Sequence, residues 1–334
     1  MNFAIVGATG NVGRKTIDIL ERSKIKINQL FLVASKKSAG KIIIFKKKKI
    51  KIEALEDYDF GKAKITIFAA GSVIAKKWAP IAAKKTIVID NSKHFRLEKN
   101  VALVVPEVNE NVLKIYKKKN IIANPNCSTV QLVLVLKPLH EKFKIKRVVV
   151  STYQAVSGAG KAPMDELFTQ TRNFLKGKKV KSKNFTKQIA FNLIPHIDKF
   201  VKDGYTKEEW KMEHETKKIL DPNIEMTATC VRVPVRTSHS ESVNIEFKKS
   251  YNLQKVRELL KKAPGCKVID TQKNGGYMTP FEAEGSYLTY ISRIRKDNSN
   301  KKAINLWIVS DNLLKGAALN TVQIAQALIK KYIK

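Results

Sequence analysis

"MNFAIVGATGNVGRKTIDILERS", residues 1–23, decides the fold. A short apolar run over residues 2–7 ends in glycine, and residues 11–23 then repeat inward-facing side chains at helical spacing through Val12, Thr16, Ile19 and Leu20. Between the two lie Gly7, Gly10 and Gly13. A strand that turns on glycines into a helix lets backbone approach a pyrophosphate closely and offers it the unpaired N–H groups of the helix start. The spacing is G-x-x-G-x-x-G rather than the commoner G-x-G-x-x-G, so the strand-turn-helix context carries the reading. A dinucleotide is expected on this turn. The next apolar run, residues 29–35, should end in a carboxylate if the ribose 2′-hydroxyl of NAD is to be held. Ser35, Lys36 and Lys37 stand there instead, two cations and no acid, which favours the 2′-phosphate of NADP.

Working outward, further apolar runs at 65–71, 86–92, 102–109 and 120–126 alternate with helical candidates near 73–84 and 109–119. Strands apolar on both faces belong in a sheet covered on both sides, and strand-helix alternation makes that sheet parallel. Residues 1–126 therefore read as a Rossmann-like, doubly wound α/β domain. After Asn126 the pattern changes. A long apolar helix (127–143, with Pro138 late in it) precedes a strand at 147–154, a glycine-rich turn and a helix at 163–175. A lysine-rich loop (176–187) leads to longer alternating strands at 225–235 and 242–249, with a helix at 253–262. That mixture predicts an α+β domain over 127–311 with a mainly antiparallel sheet. The amphipathic stretch 312–334 is grouped with the first domain.

Composition excludes several classes. At 334 residues with 43% apolar and 8% aromatic side chains, two globular domains are expected. No run of 18 apolar residues and no basic leader is present, so neither membrane span nor signal peptide is expected. Three widely spaced cysteines suggest no disulfide framework and no metal cluster, and a reducing cytoplasm fits. The formal charge of +35 invites a nucleic-acid reading, yet it comes from 54 Lys and only 10 Arg. Arginine is the residue that clamps phosphates and reads base edges. The lysines, scattered without interleaved aromatics, read as solvated surface with some attraction for anionic substrates. A nucleic-acid binder, the rival from another class, would instead show steep salt-dependent duplex binding.

The chemistry centres on "ANPNCSTVQ", residues 123–131. Pro125 pushes Asn124 out of helical geometry, Asn126 is a good N-cap, and Cys127 then takes the first helical position. There the helix dipole and unpaired N–H groups favour a thiolate. Cys230 within a strand and Cys266 after Pro264–Gly265 read as packing residues. A nucleophilic cysteine needs a proton partner among His94, His140, His196, His214 and His239. His140 and His214 fall in helical patterns and are expected on the surface, and His196 is expected to be structural. His239, following a strand with Arg232 and Arg236 nearby, is mildly preferred.

Six stretches together resemble the aspartate-semialdehyde dehydrogenases over essentially the whole chain. They are "VGATGNVG" (6–13), "SKKSAG" (35–40), "NPNCSTVQ" (124–131), "YQAVSGAG" (153–160), "EEWKMEHETKKIL" (208–220) and "RVPVRTSHSES" (232–242), in the family's order. The resemblance implies Cys127 as acyl-accepting nucleophile, His239 as acid/base partner and Gln154 orienting substrate near the sulfur. It implies Arg232 on the substrate's α-carboxylate, Glu208 facing its amino group, and Arg96, Asn126 and Lys211 holding phosphate. Gly7, Thr9, Gly10, Asn11, Val12, Ser35, Lys37, Ser38, Ser157, Gly158 and Asn312 would contact NADP. Lys37 departs from the arginine expected in many members, keeping charge and losing the planar fork. The implied substrates are aspartyl phosphate, aspartate semialdehyde and phosphate, and the implied assembly a homodimer. N-acetylglutamyl-phosphate reductase and glyceraldehyde-phosphate dehydrogenase share such chemistry, but their cysteine contexts differ. A non-catalytic relative would need neither Cys127 nor His239.

Overall fold

The computed structural model describes residues 1–333 and divides the chain into two compact units, Met1–Pro125 with Ala317–Lys334, and Asn126–Gly316. Asn126 and residues 312–316, expected in the first domain, fall in the second unit.

The first unit is built on a seven-stranded parallel sheet. Its strands are β1 (Asn2–Val6), β2 (Gln29–Ala34), β5 (Glu53–Ala54), β6 (Ile65–Phe68), β7 (Ile87–Asp90), β8 (Ala102–Leu103) and β9 (Ile121–Ala123), in the order β5-β2-β1-β6-β7-β9-β8. Phe3, Ala4, Ile5 and Val6 of the central strand are fully buried, as apolar-throughout strands require. Helices α1 (Asn11–Arg22), α2 (Ser72–Ala82) and α9 (Leu319–Lys331) belong to this unit. Strand order reverses between β1 and β6, so the turn after β1 sits at the topological switch point where α/β sheets bind ligands. The turn is possible only without side chains: a Cβ on Gly7 (φ +87°) would lie 2.6 Å from the Ala69 carbonyl oxygen, and one on Gly13 2.2 Å from that of Gly7.

Two local expectations change. The helix predicted over 109–119 is a single turn, α3 (Pro106–Asn109), followed by a 3-10 segment, Glu110–Lys118. Asn109 interrupts it, accepting from the Val105 N–H (3.0 Å) and donating to the Leu103 carbonyl (2.9 Å). The lysine run 46–49 is no featureless surface, since β3 (Ile42–Phe45) and β4 (Lys48–Lys51) form a hairpin. Its turn residues Lys46 and Lys47 both adopt positive φ (48° and 65°), a conformation that asparagine and glycine usually supply.

The second unit packs helices on a six-stranded mixed sheet ordered β11-β10-β12-β15-β14-β13. The strands are β10 (Ile145–Gln154), β11 (Glu225–Arg232), β12 (His239–Phe247), β13 (Cys266–Val268), β14 (Thr289–Lys296) and β15 (Ala303–Ser310). Pairs β10–β11 and β13–β14 are parallel and the remainder antiparallel. Helix α4 (Cys127–Phe143) lays Leu132, Val135, Leu136 and Leu139 on a core with Val148, Val150, Val243, Ile245 and Ile308. Helices α5 (Lys161–Leu175), α6 (Lys207–Ile219), α7 (Leu253–Lys262) and α8 (Pro280–Ala283) complete the unit. The register pairs Gln154 with Arg232, and His239 with Ser310. The ends of β10, β11 and β15 and the start of β12 therefore meet at one edge. No helix among the described residues is long and apolar enough to cross a membrane.

Candidate active site

Asn126 and Cys127 open α4 as expected. The Asn126 carboxamide oxygen accepts from the Ser128 and Thr129 backbone N–H groups (3.0 and 3.3 Å), a cap worth about 1 kcal/mol. Its other groups are also engaged: Nδ2 donates to Glu208 (2.8 Å) and its backbone N–H to Glu215 (2.6 Å). Cys127 is thereby fixed at the first helical position, half-buried, and is in no disulfide. Gly316 presses on it, for a Cβ there would come within 2.8 Å of the Cys127 Cβ.

Glu208 and Lys211 share the buried face of α6, whose start is fastened by a Thr206–Glu209 capping box. Burial alone would raise the Glu208 pKa. The Lys211 ammonium, in charge and hydrogen bond, together with Asn126 and Gln154 (Nε2, 3.1 Å), outweighs burial and brings it to about 2. Lys211 also reaches Asp198 at 3.4 Å, so its charge sits between two carboxylates. Gln154 in turn accepts from Thr152 (3.1 Å).

The backbone of one residue, Ala155, ties the remaining groups together. The Ala155 carbonyl accepts from Arg232 Nη1 (2.7 Å), and its N–H donates to His239 Nδ1 (3.0 Å). Arg232 and His239 are buried, and Gly158 lies against both, with any Cβ 3.1 Å from the imidazole and 3.2 Å from the guanidinium. Burial, then the Arg232 charge, lowers the His239 pKa to about 3, against the opposing pull of Glu208 and a backbone contact at Ser238. Burial lowers the pKa of the Arg232 guanidinium, and the Glu208 carboxylate opposes that shift. The Asn312 carboxamide oxygen accepts from the Ser157 hydroxyl (3.0 Å) and the Ser238 N–H (2.9 Å), joining three loops.

The structure thus gathers Asn126, Cys127, Gln154, Ser157, Gly158, Glu208, Lys211, Arg232, His239 and Asn312 in the second unit. The others stand in the first unit. Arg96 is buried and donates to the carbonyls of Asn124 (2.9 Å) and Asn91 (3.0 Å). Thr9 and Gly10 are exposed at the start of α1, where Gly10 supplies the N-cap without a side chain. Ser35, Lys37 and Ser38 follow the end of β2, the first two exposed and Ser38 half-buried, with no carboxylate among them. Closely approachable backbone at a helix start beside cations fits a phosphorylated dinucleotide.

Of the other histidines, His140 is not on the surface. It accepts from the Ile145 N–H (3.2 Å), faces Asp221 (3.3 Å), and burial lowers its pKa. His214 is half-buried and stacks on Trp210. Cys230 is fully buried against Met212, with its thiol pushed well up by burial. Sequence reasoning missed Ala155, whose backbone does the work, and Gly316. It also missed Glu215, although the 208, 211, 215 spacing on α6 could have revealed it.

Comparisons with known proteins agree across the chain. Residues 2–116 match the family model described as semialdehyde dehydrogenase, NAD binding domain, and 136–315 the semialdehyde dehydrogenase dimerisation domain. The chain is 50% identical over 332 residues to aspartate-semialdehyde dehydrogenase of Aquifex aeolicus, covering 98% of both chains. It is 50% identical over 333 residues to that of Rickettsia bellii, covering 99% of this chain and 98% of the relative. A crystal structure of aspartate semialdehyde dehydrogenase II of Vibrio cholerae, complexed with ASA, superposes with a TM-score of 0.97 at 43% identity, covering 99% of this chain and 98% of the other. A Candida albicans aspartate semialdehyde dehydrogenase with NADP gives 0.76 at 25% identity, covering 100% of this chain and 99% of the other.

Proposed function

The chain belongs to the aspartate-semialdehyde dehydrogenases, and from that membership we propose that it reduces L-4-aspartyl phosphate to aspartate semialdehyde, with release of phosphate and through a thioester on Cys127. The observation that carries this reading is a cysteine held at a helix start capped by Asn126, which is hydrogen-bonded through Glu208 to Gln154, while the next residue, Ala155, holds Arg232 and His239 on its backbone.

The Cys127 thiolate attacks the acyl carbon, the C–S bond forms, and phosphate departs with the electrons of the C–O bond. NADPH, which the glycine turn at Gly7 and Gly10 would hold, would be the source of the hydride that reduces the resulting thioester. The C–S bond then breaks, its electron pair returning to Cys127 as the semialdehyde leaves. Arg232 orients the α-carboxylate through its planar fork, Glu208 takes the amino group, and Gln154 positions the acyl group near sulfur. Lys211, Asn126 and Arg96 hold phosphate. His239 is the acid/base partner. NADP is assigned over NAD because Lys36 and Lys37 end β2. Its contacts are Gly7, Thr9–Val12, Ser35, Lys37 and Ser38, with Ser157, Gly158 and Asn312.

The enzyme is proposed to work in the cytoplasm as a homodimer through its second unit. The dimerisation-domain match and the exposed Phe168, Phe174, Leu175, Phe191 and Phe200 support that assembly. Its product would feed lysine and diaminopimelate, threonine, methionine and isoleucine biosynthesis. The test is NADP reduction with aspartate semialdehyde, with and without phosphate, for wild type and Cys127→Ala. Phosphate-dependent turnover lost in the variant is expected. A folded wild type without turnover would overturn the assignment.

A further inference from the structure

Helix α4 lacks half of a complete cap. In a capping box the third helical residue, a Glu or Gln, reaches back to accept the N–H of the N-cap residue. In α4 that residue is Thr129, which carries no carboxyl or carboxamide oxygen, and its hydroxyl is buried with no hydrogen-bond partner among the described residues. The Asn126 N–H, one residue before the nucleophile, therefore needs an acceptor from elsewhere in the fold. Glu215 of α6 provides it at 2.6 Å.

The surroundings make this acceptor a built feature. Glu215 is completely buried, where a carboxyl group is tolerated only if donors meet it. It follows Glu208 by two helical turns, so both project from one face of α6. Glu208 takes the Asn126 side chain through Nδ2 (2.8 Å), while Glu215 takes the Asn126 backbone. Helix α6 is itself fastened, since Glu209 closes the capping box with Thr206 and accepts from the Cys230 N–H of β11 (2.9 Å). The Pro125–Asn126 peptide is held at its other end as well, its carbonyl accepting from Asn124 Nδ2 (3.1 Å). That peptide cannot rotate without breaking a hydrogen bond at both ends.

We propose that Glu215 is a positioning residue for the reaction: by holding the Asn126 N–H it fixes where Cys127 begins its helix and where the Asn126 carboxamide points. The proposal rests on the thioester reading given above, in which Cys127 attacks the acyl carbon and Asn126 helps to hold phosphate. Glu215 acts through Asn126, and Asn126 serves both partners of that step. Loss of the Glu215 acceptor therefore strikes two properties together, the reactivity of the sulfur and the grip on phosphate. The dinucleotide turn at Gly7 and Gly10, which Glu215 does not support, is spared.

Selective labelling reads the hydrogen bond in the intact enzyme. Only two Pro–Asn pairs occur in the chain, Pro125–Asn126 and Pro222–Asn223. Proline labelled with ¹³C at the carbonyl and asparagine labelled with ¹⁵N thus give two amide signals, which Asn223→Ser at its exposed turn assigns. The Asn126 proton is expected downfield and slow to exchange, and should move upfield in Glu215→Gln, which keeps an accepting oxygen and loses the carboxylate. An Asn126 signal unmoved by that substitution overturns the proposal. Because this readout needs no turnover, failure here is separable from failure of the dehydrogenase assignment. Kinetically, Glu215→Leu should lower kcat roughly 10²-fold, slow the alkylation of Cys127 and raise KM for phosphate, with KM for NADP unchanged. Glu215→Gln should recover most of each loss. A folded leucine variant with wild-type alkylation and wild-type KM for phosphate, or a glutamine variant no better than leucine, would show that Glu215 only packs. If the leucine variant does not fold, the amide signal decides.

Discussion

Two buried glutamates in the second unit behave in opposite ways. Glu208 is surrounded by donors and a cation, so its pKa falls from 4.5 to about 2. Its contribution to stability is fully present above about pH 4.5 and is lost as pH falls toward 2. Glu208→Gln, which removes a carboxylate from beside the buried Lys211 ammonium, should cost about 3 kcal/mol at neutral pH. Acid-titrated thermal melts should show the gap from wild type closing below pH 4.5, and a gap independent of pH would refute the pairing. Among the described residues neither Glu241 oxygen has a partner at full hydrogen-bond geometry, and burial pushes its pKa well above 4.5, opposed only by the nearby Gln131 side chain. The stability of the neutral form is fully present below about pH 4.5 and is lost as pH rises toward its folded value. Glu241→Gln should therefore gain stability over wild type progressively from pH 5 to pH 8. Parallel melting curves for the two proteins over that range would show that Glu241 is not held neutral.

Among the elements, α4 and the π-helical segment Leu314–Ala318 that carries Gly316 matter most, since they touch at the nucleophile. The Asn126 cap sets where the helix starts, and Gly316 leaves the space in which Cys127 sits. Gly316→Ala would drive a methyl group into the Cys127 Cβ, 2.8 Å away. Displacement by a fraction of an ångström to about 1 Å should lower kcat roughly 10²-fold, while the melting temperature changes little. Steady-state rates and the alkylation rate of Cys127 check this, and an unchanged alkylation rate would show that the contact relaxes. Elements also show where local pattern reading fails. Asn109 could not be seen to close on Leu103 and Val105, nor could Lys46–Lys47 be recognised as a hairpin turn. In both places tertiary packing overrides intrinsic preference.

For the whole molecule the charge of +35 is the dominant fact. Long side chains such as Lys46–Lys49 are largely exposed, so their field is screened by salt and acts on encounter rather than on the fold. For an enzyme acting on anionic substrates, kcat/KM should fall as ionic strength rises through about 0.15 M while kcat changes little. A flat kcat/KM would mean that the lysines do no more than solvate.

What the sequence by itself determined is local chemistry. Gly7 and Gly13 permit one kind of turn, Asn126 after Pro125 starts a helix, and that start puts Cys127 at its first position. These depend on neighbours a few residues away, and residue type and spacing carry them. The tertiary structure decided the rest. Register across β10, β11, β12 and β15 brings Gln154, Arg232 and His239 to one edge. The Ala155 backbone holds both Arg232 and His239, and the partners that packing brings to Glu208, Lys211 above all, separate it from the equally buried Glu241. Strand pairing and desolvation are made by residues distant in the chain, so no local stretch encodes them.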